Sequence, residues 1–304
     1  MQRAEYFAFR LGVSLFSVVP FPLLYLFSDF LAFLLFHVVG YRRTVTLQNL
    51  RGAFPGHSDK AIRHIAARSY RNLSDVLLES LKGFSLSQAS LLKRYKIMNP
   101  EILDSYYHRG ISLIGVTGHY GNWEWGAFAA SLQLNHRAVA FYKPLSNRYI
   151  DRHMRTSRTQ TGTVMRSIYN TQDTFREFAD QTCLFLMVAD QAPSNIQKAY
   201  RVRFLGRETA CLHGPENYAK SNNYPVVYFD IQRIKRGTYQ VWIKRLIEQP
   251  KREARGAITQ QYMQTLEKII RRRPANWLWT HRRWKKDQPA AAADQKDTHH
   301  LKSH

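Results

Sequence analysis

The chain opens with two apolar runs, Leu11 to Phe27 and Phe30 to Val39, separated by Ser28-Asp29. Together they are long enough to reach across roughly 30 Å of hydrocarbon, but Pro20, Pro22 and Asp29 interrupt a straight span. The pattern therefore predicts a kinked or interfacial membrane anchor over residues 1–41. Arg3 and Arg10 flank its near end and Arg42 and Arg43 its far end, so the positive-inside rule gives no orientation. That symmetry suits a helix lying in the interface with both ends cytoplasmic. A cleavable signal peptide fits poorly, because the apolar region is too long and no small-x-small site follows it.

Between residues 42 and 94 the apolar positions recur at three- and four-residue spacing, as in Ile62, Ile65, Ala66, Ser69 and Tyr70, then Val76, Leu77 and Leu81. This predicts helices that cap the rest of the chain. From residue 111 the texture changes. Short apolar runs at Ile111 to Val116, Ala138 to Phe141, Leu184 to Val188 and Val226 to Ile231 alternate with helical stretches at 123–133, 147–158, 171–180 and 212–222. Such alternation predicts an α/β domain over 42–285, with a mixed, mainly parallel sheet flanked by helices. A further strand pair is expected near Tyr239 to Ile243, after the Arg236-Gly237 turn, followed by a long helix from about Glu253 to Arg272. The polar, Ala-rich residues 286–304 read as a disordered tail, and His299, His300 and His304 as solvated.

Lys and Arg outnumber Asp and Glu by 45 to 22, a formal net charge of +23. This suits a polyanionic partner: nucleic acid, anionic lipid headgroups or an acidic carrier protein. The two cysteines, Cys183 and Cys211, have neither metal nor redox spacing and imply no disulfide framework.

The segment Gly115-Val-Thr-Gly-His119-Tyr-Gly-Asn122-Trp-Glu124 follows an apolar strand and opens a helix, which is where α/β proteins place their sites. His119 and Glu124 would sit about 140° apart on one helix and cannot pair while both are helical. They can pair across a turn. If Gly118 and Gly121 bend the chain and Asn122 caps the helix, the Glu124 carboxylate can reach back to one imidazole nitrogen of His119. The other nitrogen then faces the cleft as a general base. A second reading stays open, because a His after a strand is often a satisfied structural residue and a Glu in a first helical turn is ordinary dipole compensation. No His, Cys and Asp cluster near His119 supplies three metal ligands, so neither metal nor cofactor is expected.

These motifs and those downstream resemble the late acyltransferases of lipid A biosynthesis, within the wider lysophospholipid acyltransferase superfamily. The family's His-x4-Asp/Glu motif is His119 to Glu124. Tyr142-Lys143-Pro144-x-x-Asn147-x-x-x-Asp151 is similar to its Tyr-Arg-Pro run, with Lys143 in place of the usual Arg, and Arg158 falls where these enzymes have a functional arginine. Asp190-Gln191 ends a central strand, Val202 to Arg207 resembles the family's Val-Pro-Phe-Phe-Gly-Arg loop, and Pro274 to Lys285 is the most specific match. The likeness covers roughly residues 45 to 285. The loop after Asp190 departs from it in lacking the family's glycines.

The resemblance implies a glycerol-phosphate-acyltransferase-like fold, and His119 and Glu124 as the catalytic pair. It also implies Asn122, Lys143, Arg158, Asp190 and Gln191 as substrate-binding residues. Arg158 could hold a phosphate or support a thioester oxyanion, and Asp190 could orient Arg158 or Lys143 or cap the following turn. His281 to Lys285 joins cations to aromatics in a way that suits an anionic membrane surface. The implied reaction moves a fatty acyl chain from acyl carrier protein, or acyl-CoA, to a hydroxyl of an anionic lipid A precursor at the cytoplasmic face of the bacterial inner membrane. Acylation of another membrane lipid is the alternative. A membrane-tethered nucleic-acid-binding protein would also use the charge, but no binding module supports it and it leaves the His119 turn unexplained, so no nucleic-acid partner is expected.

Overall fold

A computed structural model describes residues 2–197 and 199–284. The expected tail, its histidines and Lys285 lie outside the described residues. The helices are α1 (Gln2–Val18), α2 (Phe21–Phe33), α3 (Arg43–Ala53), α4 (Asp59–Gly83), α5 (Gln88–Arg94), α6 (Asp104–Tyr107), α7 (Trp123–Ala129), α8 (Arg148–Thr159), α9 (Thr171–Glu177), α10 (Gly214–Asn222) and α11 (Ala257–Arg272). The strands are β1 (Tyr95–Ile97), β2 (Leu113–Thr117), β3 (Arg137–Tyr142), β4 (Val164–Ser167), β5 (Cys183–Val188), β6 (Tyr200–Phe204), β7 (Arg207–Cys211), β8 (Val226–Lys235) and β9 (Thr238–Ile247).

Seven strands form one sheet in the order β1-β9-β8-β2-β5-β3-β4, parallel throughout except for the antiparallel β8–β9 pair. This is the mixed, mainly parallel architecture that the alternating pattern predicts. β2 lies inside the sheet between β8 and β5, and Leu113, Ile114 and Val116 are fully buried, as a strand covered on both faces requires. β6 and β7 form a separate antiparallel hairpin. The sequence pattern missed β1, β4 and that hairpin. The first two are three- and four-residue edge strands, too short to show a period. In β6, Arg201 and Arg203 alternate with the buried Val202 and Phe204, so the five-residue strand holds no continuous apolar run.

The kink expected near Pro20 is a complete break between α1 and α2, with Pro20 extended at φ −66°, ψ 151° as the N-cap of α2. α2 runs on into a π-helical turn, Leu34–Val38. Phe21–Val38 is, among the described residues, the one helix long and apolar enough to cross a membrane. Leu11 and Leu15 on α1 and Leu26, Phe30 and Phe33 on α2 are exposed, an apolar surface unusual for a water-facing fold.

The opposite side of α2 is bound to the body through α4. Leu24, Ser28 and Ala32 are buried, and Ser28 Oγ donates to Asp75 Oδ1 at 2.5 Å. Asp75 also takes Arg233 and Arg236, while Asp29 takes Arg71 and Arg236. α4 starts at Ser58, whose hydroxyl accepts Ala61 N at 3.3 Å, and buries Ile62, Ala66, Ser69 and Tyr70 as the spacing predicts. Leu77 departs from that pattern. It points outward at 47% exposure while Leu78 is buried, because Asp75 and Glu79 occupy the inner stripe beside it.

Asp75 is fully buried against an Arg233 side chain only 10% exposed. Asp75→Ala therefore leaves a buried guanidinium without its counter-charge and should cost about 3–5 kcal/mol of stability. Arg71→Ala removes a largely exposed pair and should cost about 1 kcal/mol or less. Urea unfolding of the detergent-solubilised variants compares the two, and similar small losses would refute the clamp.

Candidate active site

β2 and β5 are parallel neighbours with Thr117 opposite Val188, and Ala189 N donates to Thr117 O at 3.0 Å. Continuing each chain past its strand end brings His119 beside Asp190. Asp190 Oδ1 lies 2.6 Å from His119 Nδ1, and Oδ2 accepts the His119 backbone N–H at 2.9 Å and the Trp277 indole N–H at 2.7 Å. Burial pushes the Asp190 carboxyl upward, but the His119 ring, the Trp277 indole and the His119 backbone N–H outweigh it and hold the group at about 2. An ionised carboxylate only accepts, so Nδ1 carries a proton, and in the neutral tautomer that this selects the lone pair is on Nε2. Gln191 Nε2 stands 3.1 Å from that Nε2, and the His119 side chain is 17% exposed.

The turn that presents His119 is fixed on three sides. Gly121 has φ +63°, and a Cβ there would also meet Ile231 Cγ2 at 2.9 Å. Asn122 caps α7 as expected, accepting Trp125 N at 2.9 Å, while its amide donates to Glu79 Oε2 at 2.8 Å. Glu79, on α4, also takes Tyr239 Oη at 2.7 Å on that oxygen, and Tyr25 Oη at 2.9 Å and Gly237 N at 3.0 Å on the other. Two donors on each oxygen satisfy the carboxylate, although burial still pushes its pKa up. On the third side the C-terminal segment runs past the turn: Gly121 N donates to Asn276 O at 3.0 Å and Leu278 N to His119 O at 3.1 Å.

The sequence expectation for the two carboxylates is reversed. Glu124 does not orient His119; it pairs with Arg158 and accepts the Trp123 indole N–H at 3.1 Å. Asp190, expected to hold Arg158 or Lys143, holds His119. Arg158 is buried, with its guanidinium on Glu124 and not on an open surface. Trp123 joins the two pairs, its ring centroid 5.0 Å from that of His119. Gln191 meets His119 directly. Asn122 is fully buried and acts as a helix cap, with no surface for substrate. Lys143 is exposed in the loop after β3, outside the cluster around His119.

His281 was missed as a site neighbour. Its Nε2 accepts Ala192 N at 3.0 Å, directly after Gln191, and burial pushes its pKa down to about 4. Nor does the segment around it lie open as a membrane-binding patch. Arg283 is buried and donates to Ala210 O at 2.7 Å, and Trp284 donates to Thr209 Oγ1 at 2.9 Å. Trp277 and Trp279 are core residues, leaving Arg282 exposed. Cys183 and Cys211 are buried and form no disulfide.

The fold and site define an α/β protein with a histidine held by a buried carboxylate at the carboxyl ends of two central parallel strands. Family comparison makes this particular. Residues 2–286 match the bacterial lipid A biosynthesis acyltransferases, and the chain belongs to that family. It is thus an acyltransferase of lipid A biosynthesis, and the match takes in α1 and α2 as well as the sheet domain. A comparison with curated proteins found no match.

Because His281 is depressed from 6.5 to about 4, the unfolded chain binds the extra proton between those values. Its contribution to stability is intact above pH 6.5 and is lost as pH falls toward 4. His281→Gln keeps an acceptor for Ala192 N but does not titrate. The urea midpoint of the wild type should therefore fall more steeply between pH 7 and 4.5 than that of the variant; parallel slopes would remove His281 from the acid response.

Proposed function

We propose that this acyltransferase moves a fatty acyl chain from a thioester on acyl carrier protein to a hydroxyl of a lipid A precursor, with His119 as general base and Asp190 as the group that orients it. The observation that carries this reading is the Asp190–His119 pair, which engages Nδ1 and leaves Nε2 facing Gln191. The entering hydroxyl takes the place of the Gln191 amide and gives its proton to Nε2 as its oxygen attacks the thioester carbon. The tetrahedral intermediate collapses with cleavage of the C–S bond, and the departing thiolate recovers the proton from the imidazolium. Asp190 stabilises that imidazolium and is not itself protonated. The displaced Gln191 amide can turn to the oxyanion.

Glu124 and Arg158 act in this scheme through Trp123, which they hold against His119. Lys143, exposed near the end of β3, suits an anionic part of either substrate. The apolar surfaces of α1 and α2 favour a membrane interface, consistent with work at the cytoplasmic face of the inner membrane. The net charge of +23 suits an acidic carrier and an anionic acceptor.

His119→Ala should abolish measurable acyl transfer, and Asp190→Asn should lower kcat by about 10²-fold or more. Near-wild-type turnover by a folded His119→Ala protein would end this mechanism. Arg158→Lys keeps the charge and loses the planar fork, so transition-state stabilisation should fall by about 1–3 kcal/mol. Glu124→Gln should cost a similar amount, and the double variant should lose much less than the sum. Additive losses in steady-state kcat/KM would show that the two side chains act separately.

A further inference from the structure

A concave pocket of about 580 Å³ lies between α4, the end of β8 and the segment after α11, and no carboxylate lines it. Three of its cations are already balanced from behind: Arg71, Arg233 and Arg236 meet Asp29 and Asp75. Four more face the same space. Arg68 and Lys235 are exposed and have no ion pair among the described residues. Arg273 spends one guanidinium N–H on the Arg233 carbonyl at 2.9 Å. Arg272 stands 3.5 Å from Asp230, whose same oxygen holds Lys244 at 2.5 Å. So much unneutralised positive charge in a concavity is a site for a compact polyanion.

The pocket shares a wall with a narrow groove beside the His119 turn. Asn72, Arg233, Ala275 and Asn276 also line the adjoining groove, which continues to Gly121, Trp123 and Leu278 beside His119. On the other side Asp29, which anchors Arg71 and Arg236, belongs to the helix that exposes Leu26, Phe30 and Phe33. An anion held here would thus sit between the apolar surface and the base. A flat or convex basic face would fit an acidic protein; a pocket of this size fits a headgroup.

We infer that Arg68, Lys235, Arg272 and Arg273 form a subsite for a phosphate monoester carried on the acceptor lipid's headgroup, which sets the distance from that phosphate to the acylated hydroxyl. This rests on the proposed acyl transfer to a lipid acceptor and adds what recognises that acceptor. The subsite acts in binding, so its loss should appear in the acceptor KM.

The test compares a phosphorylated lipid A precursor with the same lipid after phosphatase treatment, using wild type, the double variant R68S/K235S, and R176S as a control that removes a positive charge from an exposed residue of α9. The double variant should raise KM for the phosphorylated acceptor by about tenfold or more, with no change for the dephosphorylated one and none in R176S. Equal losses on both acceptors, or no loss, would overturn the subsite. A rise in the carrier's KM instead would assign the surface to the acidic donor and overturn it too. If wild type acylates neither lipid, the acyl-transfer reading fails and equilibrium binding decides the pocket alone. Binding of the phosphorylated lipid in detergent micelles that is weakened by R68S/K235S supports the subsite; unchanged binding refutes it. Inorganic phosphate that displaces the lipid at matching concentrations would make this a free-anion site and reject the headgroup.

Discussion

The site depends on the parallel pairing of β2 with β5. That register sets Thr117 beside Val188, and each chain then leaves its strand for a turn, so the residues just beyond, His119 and Asp190, are held together by the sheet itself. A carboxylate on a strand end that already accepts two N–H donors, from Trp277 and from the His119 backbone, has little freedom left. The imidazole inherits that rigidity. Pre-organisation of this kind lowers the reorganisation needed when charge develops on the ring.

The sheet fixes His119, but α4 fixes the turn that carries it. Glu79 connects Tyr25 on α2, Asn122 at the start of α7, and Tyr239 and the backbone of Gly237 at the β8–β9 turn. One side chain of α4 thereby links α2 to the cap next to His119. Asp75, one helical turn earlier, does the same for Ser28 and for the arginines of the β8–β9 turn. Displacing α2 would unsatisfy buried acceptors in both clusters, so a change at this apolar helix has a direct physical route to the turn that carries His119.

Most of the strands and helices were legible because their apolar periods are long enough to count, and Asn122 was legible because a cap is local chemistry. Asp190 was also visible as a strand-end carboxylate. Its partner was not, since placing β5 beside β2 needs the strand order, with β3 and β4 passed over, and no sequence period carries that. With only local distance as a guide, Glu124 at five residues outcompetes Asp190. The inner stripe of α4 left a readable sign: Asp75 and Glu79 stand among buried positions where an acid is stable only with several donors, and that points to a polar network beneath.

The distribution of charge bears on the partner as well. A surplus of 23 positive charges spread over convex helices would serve any polyanion, nucleic acid included. Here many of the arginines are turned inward, as Arg158, Arg233 and Arg283 are, each committed to a carboxylate or a carbonyl. The cations left beside β8 and α11 converge on a hollow instead of forming a stripe along a groove wide enough for a duplex. Such a hollow discriminates by size, and it lies close to exposed aromatic and aliphatic side chains of α2 that a duplex would leave in water. An amphiphile with a compact anionic head would satisfy both surfaces at once, and that is the physical argument by which the proposed lipid acceptor accounts for the charge of this chain better than a nucleic acid does.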